Sequence, residues 1–101
     1  MTALQWLGGS EADLEHRRML VGFWQDRRGS IYVLSPGNTT ATLSVLTTRP
    51  DGQKRFTRDL IVARCDTVIW GKGAKQFIGT VWEDRVSWHR EGTVFNWIKL
   101  Q

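Results

Sequence analysis

Short runs of β-branched and aromatic residues, separated by polar turn residues, recur along this chain at intervals of roughly 8 to 12 residues. The stretch 20–34 shows the pattern best, because two apolar runs flank a polar turn that closes on Gly29. Such a stretch is typical of a β-hairpin with a loop of about four residues. The recurrence therefore predicts an all-β fold built from hairpins.

Eight strands are predicted from these runs and from the turns between them. Pro36 and Gly37 lie in one turn and Pro50 and Gly52 in another, where proline fixes φ and glycine allows a positive φ. Strands are expected at 19–25, 30–35, 41–48, 55–64, 67–70, 76–82, 85–89 and 93–100. Short hairpin-connected strands predict an antiparallel up-and-down meander closing into a small barrel, because closure removes the exposed sheet edges.

Alternation of apolar and polar residues is clearest in the third and the last of these strands. Leu43 and Val45 are expected to share a face opposite Ser44. In the last strand Ile98 and Trp97 lie on opposite faces, so both faces of that strand are expected to be partly covered.

The chain before the first strand predicts a short helix. Ser10 is a suitable N-cap, acids follow it, and arginines come about two turns later, which suits the helix dipole. The helix is expected over about 11–18 and covers one end or edge of the sheet. A length of 101 residues is typical of one domain. The predicted organisation is an N-terminal segment, 1–18, followed by a β-barrel-like domain, 19–101.

Six tryptophans are the unusual feature of the composition. Tryptophan buries a large area, so a few such side chains can fill a small core. Trp24 is predicted to be a central core residue because it lies within the first strand. If Trp70, Trp82 and Trp88 were exposed beside basic residues instead, they could form a stacking platform for nucleic acid.

The segment 22–30 resembles the first strand and turn of avidin-like barrels, which carry Gly, Trp, Asn, Gly and Ser at this spacing. In that family the Asn and Ser hold the ureido oxygen of biotin. Here Ser30 matches the serine, whereas Asp26 stands where the family carries the amide donor. The resemblance implies a small-ligand barrel, with Asp26, Ser30 and Tyr32 as its candidate pocket.

A second resemblance covers most of the chain, residues 20–100. The residues that carry it are Trp24-Gln25-Asp26, Gly29-Ser30-Ile31-Tyr32, Thr48-Arg49-Pro50, Leu60-Ile61, Ile69-Trp70-Gly71, Val86-Ser87-Trp88 and Trp97. This pattern resembles small Trp-rich β-meander domains found in dinoflagellate proteins. The resemblance implies a barrel-like fold and a role in a plastid or other organellar assembly.

No catalytic or metal-binding motif is found. His16 and His89 have no cysteine or second histidine at metal-ligand spacing. The loop 71–75 lacks the spacing of a phosphate-binding P-loop. Ser30, His89 and Asp26 are the one set with the residue types of a catalytic triad, and nothing in the sequence brings them together. The chain is predicted to be non-enzymatic, without cofactor or metal.

The predicted location is intracellular, in a plastid or other organelle. No apolar run approaches the roughly 20 residues of a membrane span. Residues 1–9 lack the basic start of a secretory signal, so secretion is not expected.

The formal charge of +4 is predicted to be concentrated at one end. In a meander alternate turns lie at the same end of the barrel. The odd-numbered turns hold three acids, Asp26, Asp51 and Glu91, and eight bases, a net +5. The other turns, with Arg64, Asp66, Glu83, Asp84 and Arg85, have a net −1. The predicted basic rim consists of Arg27, Arg28, Arg49, Lys54, Arg55, Lys72, Lys75 and Arg90.

The basic rim predicts a non-enzymatic interaction module that docks an anionic protein surface, as an accessory subunit of a larger assembly. The small-ligand barrel is one alternative. A binder of single-stranded nucleic acid or another polyanion is the other. The oligomeric state is left open.

Overall fold

The computed structural model describes residues 11–64, 67–71 and 76–100. In this part of the chain one helix precedes eight strands. The elements are α1 Glu11–Leu20, β1 Gly22–Asp26, β2 Ile31–Pro36, β3 Thr42–Thr48, β4 Lys54–Arg64, β5 Thr67–Trp70, β6 Phe77–Val81, β7 Arg85–Arg90 and β8 Thr93–Lys99.

The strands form a closed barrel. Each strand pairs antiparallel with its neighbours along the chain, and β1 also pairs with β8. At this seam Trp24 lies opposite Lys99, and Asp26 lies opposite Trp97. The predicted fold class, an all-β meander barrel with a short N-terminal helix, is confirmed.

The largest difference from the predicted strands is at the first one. Met19 and Leu20 were expected to begin it, but they form the last turn of α1, and β1 starts at Gly22. The helix is therefore two residues longer than expected. The side chain of Leu20 is completely buried in the barrel core although it lies at the end of the helix. An apolar residue can therefore be buried from a helix end as well as from a strand. The predicted N-cap, Ser10, lies outside the described residues.

Aromatic rings fill the interior. Alternate residues of a strand point inward, and the side chains of Trp24, Trp88 and Trp97 are completely buried. The ring centroid of Trp97 lies 4.3 Å from that of Tyr32 and 5.0 Å from those of Trp70 and Trp88. The prediction that Trp24 is a core residue is confirmed.

The buried indole nitrogens differ in their hydrogen bonding. Nε1 of Trp24 donates to the backbone oxygen of Leu20 at 2.8 Å and so joins the end of α1 to β1. For Nε1 of Trp88 and of Trp97, no acceptor lies among the described residues. Three equally buried tryptophans therefore differ in whether their polar atom contributes to stability.

Gly79 makes room for one of these rings. It lies opposite Trp88 in the β6–β7 pair. A Cβ atom at this position would lie 2.7 Å from Cζ3 of Trp88. Any larger residue here would displace the ring.

Several large apolar side chains lie on the outer face of the barrel. Val94 is 57% exposed and Ile98 is 52% exposed. The expectation that both faces of the last strand are partly covered is therefore wrong for the face that carries these residues. The barrel wall is a single layer, so an outward-facing apolar residue meets solvent unless another element covers it. Exposed large apolar residues are Val21, Phe23, Phe56, Ile78, Trp82, Val94 and Ile98.

An irregular segment of β4 interrupts the pairing with β3. Leu43 pairs with Ile61 and Val45 pairs with Thr57, so Ser44 alone faces three residues of β4. This is a β-bulge, which bends the longer strand. Ser44 is buried together with Leu43 and Val45, and its Oγ accepts a hydrogen bond from a backbone nitrogen of the bulge at 3.2 Å.

Asp59 holds the bulged segment in place. Its φ of 51° lies in the left-handed region, which is uncommon for a residue other than glycine. Its carboxylate accepts hydrogen bonds from the backbone and side-chain nitrogens of Asn38 at 2.8 and 2.9 Å and from Oγ1 of Thr42 at 2.8 Å. The bonds from the Asn38 backbone and from Thr42 favour the ionised form and lower the pKa of Asp59 below 3.8.

Trp24→Phe should destabilise the protein more than Trp88→Phe. Both changes leave a cavity, but only Trp24→Phe also leaves the carbonyl of Leu20 without its donor, at an added cost of about 1–3 kcal/mol. Urea unfolding followed by far-UV circular dichroism measures the two free energies of unfolding. Equal losses would show that the bond from Trp24 to Leu20 has no net effect on stability.

Asp59→Asn should flatten the acid side of the pH–stability profile. The pKa of Asp59 is lower in the folded than in the unfolded protein. The ionised carboxylate therefore adds to the free energy of unfolding at any pH above the unfolded pKa, and this addition is lost as the pH falls through the folded pKa. Asparagine tolerates a positive φ, so the backbone is kept. Urea midpoints measured from neutral pH down to about pH 2 test this. Asp84→Asn in the β6–β7 turn is the control, and an unchanged slope in Asp59→Asn would contradict the assignment.

Candidate functional site

The first, third, fifth and seventh turns lie at one end of the barrel, the odd-turn end, because consecutive strands of the meander run in opposite directions. These turns follow β1, β3, β5 and β7. Lys72 and Lys75 of the predicted basic rim lie outside the described residues. The described members of the rim lie in these turns or at the strand ends beside them: Arg27, Arg28, Arg49, Lys54, Arg55 and Arg90.

A cleft of about 230 Å³ lies on the β3–β4 hairpin at this end. The turn between β3 and β4 is closed by two backbone hydrogen bonds. The Gly52 nitrogen donates to the Arg49 oxygen at 2.9 Å, and the Arg49 nitrogen donates to the Gln53 oxygen at 2.8 Å. Oδ1 of Asp51 also accepts a bond from the Gln53 nitrogen at 3.0 Å. The residues that line the cleft are Thr47, Arg49, Gln53, Lys54 and Arg55.

The three residues of the candidate ligand pocket are brought together at the same end of the barrel. Oδ1 of Asp26 accepts hydrogen bonds from the backbone nitrogens of Arg28 and Ser30, both at 2.9 Å. Oδ2 of Asp26 accepts a bond from the hydroxyl of Tyr32 at 2.7 Å. Nη1 of Arg49 donates to Oγ of Ser30 at 3.3 Å. The two carboxylate oxygens are thus both engaged by the protein itself.

The ring of Tyr32 packs against aromatic rings of the barrel interior. It stacks on Trp97 and meets the edge of Trp70, with centroids 4.3 and 5.9 Å apart. Burial, then the hydrogen bond to Asp26 and the charge of Asp26, raise the pKa of Tyr32 to about 12, although the nearby Arg49 lowers it. The group is therefore a packed network that ties the β1–β2 turn to the interior.

A larger groove, of about 520 Å³, lies on the outside of the barrel at the ends of β6, β7 and β8. Ile78 and Val94 form its apolar part, and Glu91 and Arg90 form part of its polar rim. The guanidinium of Arg90 also lies over the ring of Phe77, 4.3 Å from its centroid.

Sequence reasoning missed Thr47, Gln53 and Phe77 as residues of this end. Thr47 faces Arg55 across the β3–β4 pair, and its place beside the basic residues depends on that register. A strand pattern alone does not specify which residues face each other.

The tryptophans divide between core and surface. Trp24 and Trp88 are completely buried, Trp70 is half-buried, and Trp82 is 42% exposed. Trp82 lies in the β6–β7 turn, at the end opposite the odd-turn end, with the guanidinium of Arg85 4.5 Å from its ring centroid. The exposed tryptophan and the predicted basic rim are therefore at different ends.

The residues of the catalytic-triad type are not brought together. Ser30 is buried inside the barrel beside Asp26, whereas His89 follows the buried Trp88 and is exposed on the outer face. Among the residues that the structure describes, no three His, Cys, Asp or Glu side chains are grouped as metal ligands.

Comparison of the chain with known protein families, with curated proteins and with solved structures found no match. The resemblances to avidin-like barrels and to dinoflagellate β domains therefore stay predictions. Within 11–64, 67–71 and 76–100, no helix has the length and apolar character needed to cross a membrane.

Tyr32, the single tyrosine of the chain, should ionise only near pH 12 in the folded protein. Because the folded pKa exceeds the ordinary value of 10, the stability that this group contributes is complete below pH 10 and is lost as the pH rises through about 12. Ultraviolet absorbance of the phenolate gives the midpoint, and circular dichroism at each pH shows whether the barrel is folded.

Asp26→Asn should lower this midpoint while leaving it above 10, because burial is the largest cause of the shift and the carboxylate the next. A midpoint of 10 in the folded wild-type protein would contradict the network.

Proposed function

We propose that the protein is a non-enzymatic interaction module, an accessory subunit of a larger assembly, that docks an anionic protein surface against its odd-turn end. The observation that carries the proposal is the cleft on the β3–β4 hairpin, where Arg49, Lys54 and Arg55 surround a concave site with Thr47 and Gln53. Three cations with a hydroxyl and an amide donor are well suited to carboxylates.

The distribution of charge supports the proposal. Near the odd-turn end the six described bases stand against three acids, Asp26, Asp51 and Glu91, a net +3. In the β6–β7 turn at the opposite end, Glu83 and Asp84 stand against Arg85, a net −1. One of the three acids, Asp26, is already engaged by Tyr32. An anionic partner would therefore be attracted to one end and oriented by the field.

Arg49 supplies a cation that is partly fixed before binding. It lines the cleft and also donates to the buried Ser30. Holding a long side chain in place beforehand reduces the conformational entropy lost on binding. A planar guanidinium can then offer its other N–H groups to a carboxylate in a defined direction.

The two alternatives have less support. The interior is filled by packed rings around Trp97, which disfavours a small-ligand barrel. Stacking of bases needs exposed aromatic rings beside the cations, but the exposed Trp82 lies at the other end. Phe56, which is 56% exposed on the β3–β4 hairpin, is the described aromatic residue that comes nearest to meeting this need.

A double charge reversal, Lys54→Glu with Arg55→Glu, should weaken binding to poly-L-glutamate about tenfold at low salt, because each exposed ion pair contributes up to about 1 kcal/mol. Arg49 is left unchanged in this variant to preserve its bond to Ser30. Association rates from biolayer interferometry should fall more than dissociation rates rise, and added salt should remove the difference.

Arg17→Glu with Arg18→Glu, on α1 at the opposite end, changes the net charge equally and is the matched control. Arg18 forms an exposed ion pair with Glu15, at 3.5 Å, and such pairs contribute little to stability, so this variant should fold and bind as the wild type does. Equal weakening in the two variants would contradict a specific site at the odd-turn end.

A further inference from the structure

About half of β4 has no strand partner on one side among the residues that the structure describes. The strand spans Lys54–Arg64, whereas β5 pairs only with residues 61–64. One more bond, from the Gly71 nitrogen to the Leu60 oxygen at 3.1 Å, extends this contact. Beyond it, residues 54–57 pair with β3 alone among the described residues. The side of residues 54–58 that faces away from β3 is the β4 edge.

The direction of the backbone groups at the β4 edge follows from the hairpin. The Arg49 nitrogen donates to the Gln53 oxygen, so these two residues form a hydrogen-bonded pair. In an antiparallel ladder, hydrogen-bonded pairs alternate with pairs that are not hydrogen-bonded. Thr47 with Arg55 is the next hydrogen-bonded pair. The N–H and C=O groups of Lys54 and Phe56 therefore point away from β3, and none of the described residues pairs with them. Arg58 is the first residue of the bulge.

The side chains along the edge are exposed and have a definite pattern. Lys54, Phe56 and Arg58 share the outer face, in the order basic, aromatic, basic. Phe56 is 56% exposed and lies opposite Leu46 of β3. A strand placed alongside would therefore meet an apolar centre between two cations.

We propose that the anionic partner adds an extended acidic segment as an antiparallel strand to the β4 edge. This inference rests on the proposed function, since it names how the partner of the odd-turn end is recognised. Backbone hydrogen bonds would supply affinity, and side chains at alternate positions would supply specificity. The segment has the pattern acidic, any residue, apolar, any residue, acidic, with its acidic residues opposite Arg58 and Lys54 and its apolar residue opposite Phe56.

Charge disfavours a second copy of this chain as the occupant. Two β4 edges paired antiparallel about Phe56 would place Lys54 of each copy opposite Arg58 of the other. Like charges directly opposite each other on a sheet are destabilising. The same cations that keep copies of the chain apart are complementary to an acidic strand.

The test is an NMR titration of the whole chain with the blocked peptide Thr-Glu-Thr-Val-Thr-Glu-Thr. Binding should shift the amide signals of Lys54 and Phe56 and slow their hydrogen exchange. In the antiparallel register the valine N–H points at β4, and those of its flanking threonines point away. N-methylation of the valine should weaken binding about tenfold or more, because at least one hydrogen bond is lost. N-methylation of a flanking threonine, the matched control, should leave it within about twofold.

A charge exchange checks the side-chain pattern. Lys54→Glu with Arg58→Glu should lose binding to the glutamate peptide and bind a peptide in which lysine replaces both glutamates. The wild-type chain should not bind that lysine peptide. Failure of the lysine peptide to bind the folded double variant would overturn the proposed pairing.

The outcomes separate this inference from the proposed function. If both methylated peptides bind equally, or the glutamate peptide does not bind, strand addition is overturned, while loss of poly-L-glutamate binding in Lys54→Glu with Arg55→Glu still supports the docking module. If poly-L-glutamate binding is also insensitive to that reversal, both fail. A concentration-dependent dimer in sedimentation that Phe56→Thr abolishes would assign the edge to a second copy. If single-stranded oligothymidine bound at Phe56 more tightly than the glutamate peptide does, the β4 edge would be assigned to nucleic acid.

Discussion

The contacts of Trp97 connect parts of the barrel that are far apart in the chain. From β8 its ring reaches Trp24 on β1, Tyr32 on β2, Trp70 on β5 and Trp88 on β7. A sheet of this kind can curl in several ways, and this one is closed by pairing of β1 with β8. The rings that meet at Trp97 fill the space that closure encloses, so the core and the closure depend on each other.

The packed core also determines the role of the residues around Asp26. Ser30 and Tyr32 lie where a barrel could open to a ligand, yet each of them is bonded or stacked within the protein. A carboxylate with both oxygens engaged holds the β1–β2 turn and places Arg49 beside Ser30. An arrangement that resembles a binding pocket in sequence is thus bonded within the protein itself.

Much of the fold could be predicted from the sequence, because turn residues and β-branched runs act locally. Proline and glycine at 36–37 and 50–52 placed the strand limits to within about one residue, and strand number implied closure. Pro36 itself is the last residue of β2 rather than a turn residue, and only Gly52 of these two glycines has a positive φ. The interior face could not be chosen in the same way, since Ile98 on the outside is as apolar as the inward residues of its neighbours. The bulge opposite Ser44 was also missed, because extra residues in one strand leave no mark in apolar alternation.

The candidate site could also be predicted only in part. Placing Arg49, Lys54 and Arg55 at one end needed only the strand count, and that placement is present in the structure. The cleft itself depends on which residues face each other across β3 and β4. Thr47 could be assigned to the cleft only from that register, which places it opposite Arg55. Within the described part of the chain, the half of β4 that β5 does not pair with likewise depends on the difference in length between the two strands.

Closure by the first and last strands has a consequence for synthesis of the chain. The residues that complete the core, Phe95 and Trp97, lie in β8 and are therefore made after the other seven strands. Until they leave the ribosome, β1 has no second neighbour and Trp24 has no cover on its β8 side. Contacts between distant parts of a chain form slowly, so the nascent protein exposes its indole rings and an open sheet edge during this interval. An intermediate with these features is prone to aggregation until β8 pairs with β1.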